Sequence, residues 1–143
     1  MIYLRELDET TGVYDLNVAD EQKSFVASVD VLLARAYIYR KCRSQAYTVF
    51  SDEEAVGMVL YYDNPGENAY ELAELFIDVR FQRRGYATAV LNQVLNQMRL
   101  EGKYPKVTLV YVEGDEAARN LYLKFGFAER EQNQDEITMD RML

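Results

Sequence analysis

Ile2 and Leu4 alternate with polar neighbours, and this period of two predicts a strand over Ile2–Leu7. Thr10 or Thr11 is placed to cap a short helix. From Asp20 the apolar period lengthens. Phe25, Val29, Leu32, Leu33, Ala36 and Tyr37 recur at helical spacing, with Asp20 and Glu21 near one end and Arg40, Lys41 and Arg43 near the other. Those are the signs that a helix dipole favours. Such a helix serves either as a cover over a binding site or as ordinary amphipathic packing on a sheet. Tyr47–Phe50 and Ala55–Tyr62 then read as two strands joined by Ser51, Asp52, Glu53 and Glu54. Asp63-Asn64-Pro65-Gly66 is a turn.

The next strand, Leu72–Val79, carries Leu72, Leu75, Phe76, Ile77 and Val79, an apolar and β-favouring set that predicts burial. Three strands therefore run as a meander. A long helix follows the turn at Gln82–Ala87, its core face marked by Val90, Leu91, Val94, Leu95 and Met98. Gly102 and Pro105 bracket its exit, and Val107–Val112 is apolar enough to be buried on both faces. Strand, helix, strand in succession implies a parallel crossover. A short helix opened by Asp115 and Glu116 and closed by Gly126, then a strand over Ile137–Met142, complete the chain. The expected fold is α/β (α+β): a mixed, largely antiparallel sheet with one central parallel pair and helices on both faces, in a single domain over residues 1–143.

Composition narrows the chemistry. At 143 residues the chain is long enough to bury a core without staples, and its 49% hydrophobic and 28% charged residues describe a soluble globular protein. No apolar run approaches the length of a membrane span, and no charged leader precedes an apolar one, so a cytoplasmic protein without membrane contact is expected. Cys42 is the only cysteine and there is no histidine, which removes internal disulfides and histidine-based triads or metal sites; no metal is expected. A net charge of -8 argues against nucleic-acid binding. It suits a cationic small molecule, or serves solubility alone. The first thirty residues concentrate the acid: Glu6, Asp8, Glu9, Asp15, Asp20, Glu21 and Asp30 stand against only Arg5 and Lys23.

The stretch Leu72–Leu95 organises the candidate chemistry. A helix that begins directly after a strand, on small residues, leaves backbone N–H groups pointing one way, and its dipole adds about half a positive charge. Arg83 and Arg84 place full charges beside it, and Gly85, with no Cβ, lets a ligand approach the backbone. The spacing matches neither the dinucleotide fingerprint nor the NTPase loop. Gln82, Gly85 and Ala87 instead form Q-x-x-G-x-A between strand and helix, which resembles the acetyl-CoA pyrophosphate loop of the GNAT superfamily of N-acetyltransferases. Ala118, Tyr122, Gly126 and Phe127 give a second motif, A-x-x-x-Y-x-x-x-G-F, at the distance that family shows. Together they make the whole chain similar to GNAT proteins.

The resemblance implies a splayed central pair of strands with the pantetheine arm between them. Leu75, Phe76 and Ile77 would supply main-chain contacts, with a backbone amide near Ile77 as oxyanion donor, and Arg83, Arg84, Gly85, Tyr86, Ala87 and Thr88 would hold the pyrophosphate. Asp115 and Ala118 would border the cofactor. Asp115 stands where relatives usually carry asparagine; a carboxylate still caps a helix but is a poorer donor to a pantetheine carbonyl. Tyr122 matches the tyrosine that protonates the leaving thiolate, the alternative being cofactor positioning. Glu74 is the candidate base, with Glu71 and Asp78 as weaker rivals and an ordered water or a solvent-facing Glu74 as the alternative reading.

Leu16-Asn17-Val18, Glu21-Gln22 and Phe25-Val26-Ala27-Ser28 resemble the opening of bacterial diamine and polyamine N-acetyltransferases. The implied acceptor is a small-molecule amine such as spermidine or spermine, held by carboxylates including Asp20 and Glu21, and homodimerisation is expected from the family. Another GNAT acceptor (an aminoglycoside, an amino acid, a protein amino terminus) and a non-catalytic acetyl-CoA-binding regulatory module remain open.

Overall fold

The computed structural model describes residues 1–11 and 15–143. In chain order the elements are β1 (Ile2–Glu6), α1 (Val29–Ile38), β2 (Gln45–Ser51), β3 (Glu54–Asn64), β4 (Ala69–Ile77), α2 (Tyr86–Glu101), β5 (Lys106–Val112), α3 (Glu116–Lys124), β6 (Ala128–Asn133) and β7 (Glu136–Met142). Among the described residues the seven strands form one sheet, ordered β1-β2-β3-β4-β5-β7-β6. Only β4 and β5 run parallel; every other pairing is antiparallel.

Alternation along β3 divides the core. Val59 and Tyr61 face a cluster with Val90, Leu91, Val94, Leu95 and Met98 of α2 and with Tyr122 of α3. Met58 and Leu60 face the other side, against Leu32 of α1, Leu16 and Phe76. The expected α2 face is thus the buried one, and helices cover both faces of the sheet.

The parallel pair holds together over a short length. β4 and β5 pair only at Ala69, Tyr70 and Glu71 against Lys106, Val107 and Thr108. Beyond Glu71 the strands part. The register between β3 and β4 slips just there, Leu60 opposing Glu74 and Tyr61 opposing Leu72, so Ala73 is an extra residue in β4. A bulge bends its strand and increases the local twist, at the point where β4 leaves β5.

Three expectations need correction, and a fourth lies outside the described residues. The helix expected from Asp20 is divided: a single 3-10 turn covers Asp20–Gln22, and α1 begins at Val29, capped by the Ser28 hydroxyl, which accepts from Val31 N. Ser28 breaks the apolar period because a side chain that bonds its own backbone favours a cap over a helix interior. Val79 lies outside β4 in a 3-10 turn and is exposed, because Asp78 caps that turn by accepting from Arg80 N. β6 carries no apolar signal: its six residues, AEREQN, are all exposed at the sheet edge. The short helix expected after Thr10 or Thr11 falls on residues 12–14, outside the described residues. Up to Thr11 the chain turns on Asp8, whose Oδ1 accepts from Thr10 N at 2.8 Å.

Candidate active site

Parting of β4 from β5 opens a cleft of about 580 Å³. Leu75, Phe76 and Ile77 form one wall, and the turn after β5 with the start of α3 forms the other. Val18, Glu21, Gln22, Phe25 and Val26, from the segment before α1, lie along its mouth. Gln82 ties this segment to the strand end, its Nε2 donating to Ile77 O at 2.9 Å and to Gln22 Oε1 at 2.7 Å.

The start of α2 borders one end of the cleft. Arg83 (φ 64°) and Gly85 (φ 78°) both adopt left-handed backbone, so the chain turns sharply into the helix. Gly85 is the cap residue, and no side chain caps the helix there. The first intrahelical bond runs from Ala89 N to Gly85 O, which leaves the N–H groups of Tyr86, Ala87 and Thr88 without a helical acceptor. A Cβ built on Gly85 would meet nothing within 4 Å. Open space, free amides and the positive end of a 16-residue helix coincide. Arg83, Gly85, Tyr86, Ala87 and Thr88 all line the cleft. Arg84 turns away; its guanidinium lies over the Phe81 ring and donates to Arg80 O at 3.4 Å.

At the other wall Asp115 caps α3, its Oδ1 accepting from Ala118 N at 3.2 Å. Burial raises the Asp115 carboxyl pKa, opposed by that bond. Tyr122 lies one turn further along the helix, buried at 8% exposure yet lining the cleft, as do Asp115 and Ala118. Burial first, then the negative Asp115 and Glu74, push its hydroxyl well above the ordinary tyrosine range, and no hydrogen bond offsets them.

Glu74 is not solvent-facing. After the bulge its side chain points to the α1 side of β4, 11% exposed and ion-paired with Arg35. Burial raises its carboxyl pKa, opposed by Arg35 and by a hydrogen bond from the Ala27 backbone. Its carboxylate stands behind the cleft wall but within electrostatic reach of Tyr122. The two rivals lie elsewhere. Glu71 sits where β4 still pairs with β5, bonded by Asn64. Asp78 is fully engaged: its Oδ2 accepts from Asn17 N at 2.8 Å and its Oδ1 from Arg80 N at 2.9 Å. Its burial would raise its pKa, but these bonds and the Arg80 guanidinium outweigh it.

Of the two early carboxylates, Glu21 lines the cleft. Asp20 does not; it pairs with Lys23 at 2.9 Å and its side chain is almost fully exposed. Glu116 joins Glu21 and Asp115 on the cleft wall, a placement with no separate signal in the sequence. Gln22 and Phe25, both in the stretch that resembles polyamine acetyltransferases, line the cleft as well; Arg35 pairs with Glu74 behind its wall, and apolar spacing gives no sign of that partner.

The Acetyltransferase (GNAT) family model matches residues 10–127. The chain belongs to the GNAT family of acetyltransferases. Among curated relatives of this GNAT chain is the spermine/spermidine N(1)-acetyltransferase of Bacillus subtilis, 27% identical over 84% of this chain and 82% of the relative. Among solved structures, the spermidine N-acetyltransferase of Vibrio cholerae in complex with CoA and spermine superposes with a TM-score of 0.76 at 19% identity, covering 99% of this chain and 95% of that one. A GNAT family acetyltransferase from Elizabethkingia anophelis with acetyl-CoA bound gives a TM-score of 0.72 at 18% identity, covering 99% and 98%.

Proposed function

We propose that the chain transfers an acetyl group from acetyl-CoA to a primary amine, with a diamine or polyamine such as spermidine or spermine as acceptor. The single observation that carries this reading is the splayed cleft, ended by three free amides at Gly85 and bordered by Tyr122. The residues present fit the donor: the uncovered face of Gly85 admits an anion, and Arg83, Gly85, Tyr86, Ala87 and Thr88 hold the pyrophosphate. Main-chain groups of Leu75, Phe76 and Ile77 hold the arm, with Asp115 and Ala118 opposite. Arg84 adds long-range charge. When bound, the donor supplies an activated acetyl thioester.

The chain's own groups manage protons. A primary alkylamine, with a reference pKa of about 10.4, arrives protonated and must lose a proton before it attacks. Glu74 accepts it, directly or through water. The amine nitrogen bonds to the acetyl carbon, the carbon–sulfur bond breaks, and Tyr122 Oη gives its proton to the departing sulfur; the second proton, shed by nitrogen as the amide forms, restores the Tyr122 hydroxyl, and Glu74 passes its own proton to water. The B. subtilis relative supports the acceptor class, as do the carboxylates of Glu21, Asp115 and Glu116 around the cleft. Asp20 contributes to the acidic approach. A single-domain cytoplasmic homodimer fits the family; among the described residues no helix is long and apolar enough to cross a membrane.

Titration with CoA locates the donor site. Gly85→Val places a β-branched side chain where the anion approaches and forces a left-handed residue. CoA affinity falls at least about tenfold, and equal affinity of the folded variant and the parent would place the donor elsewhere.

A further inference from the structure

Glu74 is a carboxylate almost shut off from water, and such a group is costly to keep ionised unless it is paired and hydrogen-bonded. Its partner comes from a different element. Arg35 lies in the last turn of α1, 39 residues earlier in the chain, and NH1 donates to Glu74 Oε1. The backbone of Ala27, just ahead of α1, also favours the ionised form of this carboxylate. One stretch of chain, Ala27–Arg35, therefore fixes both where Glu74 sits and which charge it carries.

We infer that Arg35 is a positioning residue for acetyl transfer: from α1 it holds the buried Glu74 carboxylate as an anion behind the cleft wall, ready to take the acceptor's proton directly or through water. This rests on the reading of Glu74 as the base. The pair has a second consequence. Arg35 neutralises Glu74, so the pair does not itself attract a cationic acceptor, and a guanidinium beside the arriving amine disfavours its protonated form. Attraction of the acceptor falls instead to the unpaired carboxylates at the cleft, and Glu74 is left to the proton.

The groups that act on Glu74 and its partner come from three packed elements. Arg35 faces it from α1. Tyr122 of α3 lies within electrostatic reach of Glu74. Tyr62 of β3, stacked on Tyr39 at 4.2 Å between ring centroids, lies within reach of Arg35 and Glu71. With Arg35 removed, only the Ala27 backbone opposes burial at Glu74, and burial, the larger influence, favours the neutral acid. A neutral carboxylic acid cannot accept the proton.

The test is the pH dependence of kcat/KM for spermidine in the full chain, measured for the parent, Arg35→Gln, Arg35→Lys and Glu74→Gln. Thermal melting and CoA affinity are recorded for each variant. The expected result is an acidic limb displaced upward by about one pH unit in Arg35→Gln. Activity is then lost about tenfold on the acid side and recovered at high pH, and Arg35→Lys restores much of the parent limb. Glu74→Gln removes that limb. A loss in Arg35→Gln that is the same at every pH, together with a lowered melting temperature, would overturn the inference and leave Arg35 as a tether for α1. If Glu74→Gln leaves both rate and limb unchanged, the reading of Glu74 as base fails instead.

Discussion

Phe25 lies against Gly114: a Cβ built at position 114 would stand 3.6 Å from Cζ of the Phe25 ring. This contact bridges the segment before α1 and the turn after β5 across the cleft mouth. Phe25→Ala removes the bridge while Gln82 still tethers Gln22. The expected outcome is a KM for amine and donor raised by several-fold, with the melting temperature changed little because Phe25 is only half-buried. Steady-state kinetics beside a thermal melt checks it.

Gly57 sets the position of the β4 wall of the cleft. A Cβ there would lie 2.3 Å from Phe76 O and 3.0 Å from Ile77 Cδ1, so Gly57→Ala must push β4 aside. Overpacking of this kind costs about 1–3 kcal/mol. Because the displaced residues are Phe76 and Ile77, the variant loses CoA affinity as well as stability. Urea unfolding and calorimetric titration of the same preparation measure both.

Tyr122→Phe deletes one hydroxyl in a buried position. If that hydroxyl gives up the proton, kcat falls about 100-fold or more while the CoA dissociation constant holds within about twofold. A positioning role gives the reverse pattern, weaker CoA binding with kcat kept. Burial, then Asp115 and Glu74, raise the parent hydroxyl's pKa, so it keeps its proton through neutral pH. The parent should therefore show no alkaline loss of kcat from this group below about pH 10.

Acid stability depends on a network at the opposite end of β4. Asp63, buried, receives Arg43 at 2.8 Å and Lys103 at 2.9 Å, and Arg43 also holds Glu101. Burial raises the Asp63 pKa, but Arg43 and Lys103 outweigh it and the net shift is downward; Glu101 is lowered by Arg43 and Tyr70. Depressed folded pKa values mean that the unfolded chain binds protons first as pH falls. Their stabilisation is full above the unfolded carboxylate range of about 4 and disappears as pH drops through the folded values. Glu71, Glu74 and Asp115, raised chiefly by burial, act with the opposite sign. Asp63→Asn should lower stability at neutral pH by about 1–3 kcal/mol and flatten the acid limb, as followed by circular dichroism.

Where a residue's surroundings are local, the sequence revealed them. Val90, Leu91, Val94, Leu95 and Met98 are all buried because a long helix enforces its own period. Gly85 announces a backbone open to a ligand by its lack of a Cβ and its place between strand and helix, and no atom stands within 4 Å of where a Cβ would lie. What escaped the sequence depends on distant partners. The Ala73 bulge is a mismatch between two strands, visible in neither alone. β6 is polar throughout because an edge strand needs only a neighbour for its backbone, and exposed charge protects such an edge. Glu74 was found as an acid interrupting an apolar strand, but its burial and its pairing with Arg35 come from α1 packing across the sheet. Asp20 and Glu21 are adjacent in sequence, yet the 3-10 turn directs only Glu21 to the cleft.

Release of free CoA thiol from acetyl-CoA, compared across spermidine, spermine, a short diamine, an aminoglycoside and no acceptor, is the most direct measurement of the central claim. Acetyl transfer to polyamines predicts release that is fast with spermidine or spermine, slower with the aminoglycoside and near background without acceptor. Equal release with every amine, or none with the polyamines while CoA still binds, would contradict it.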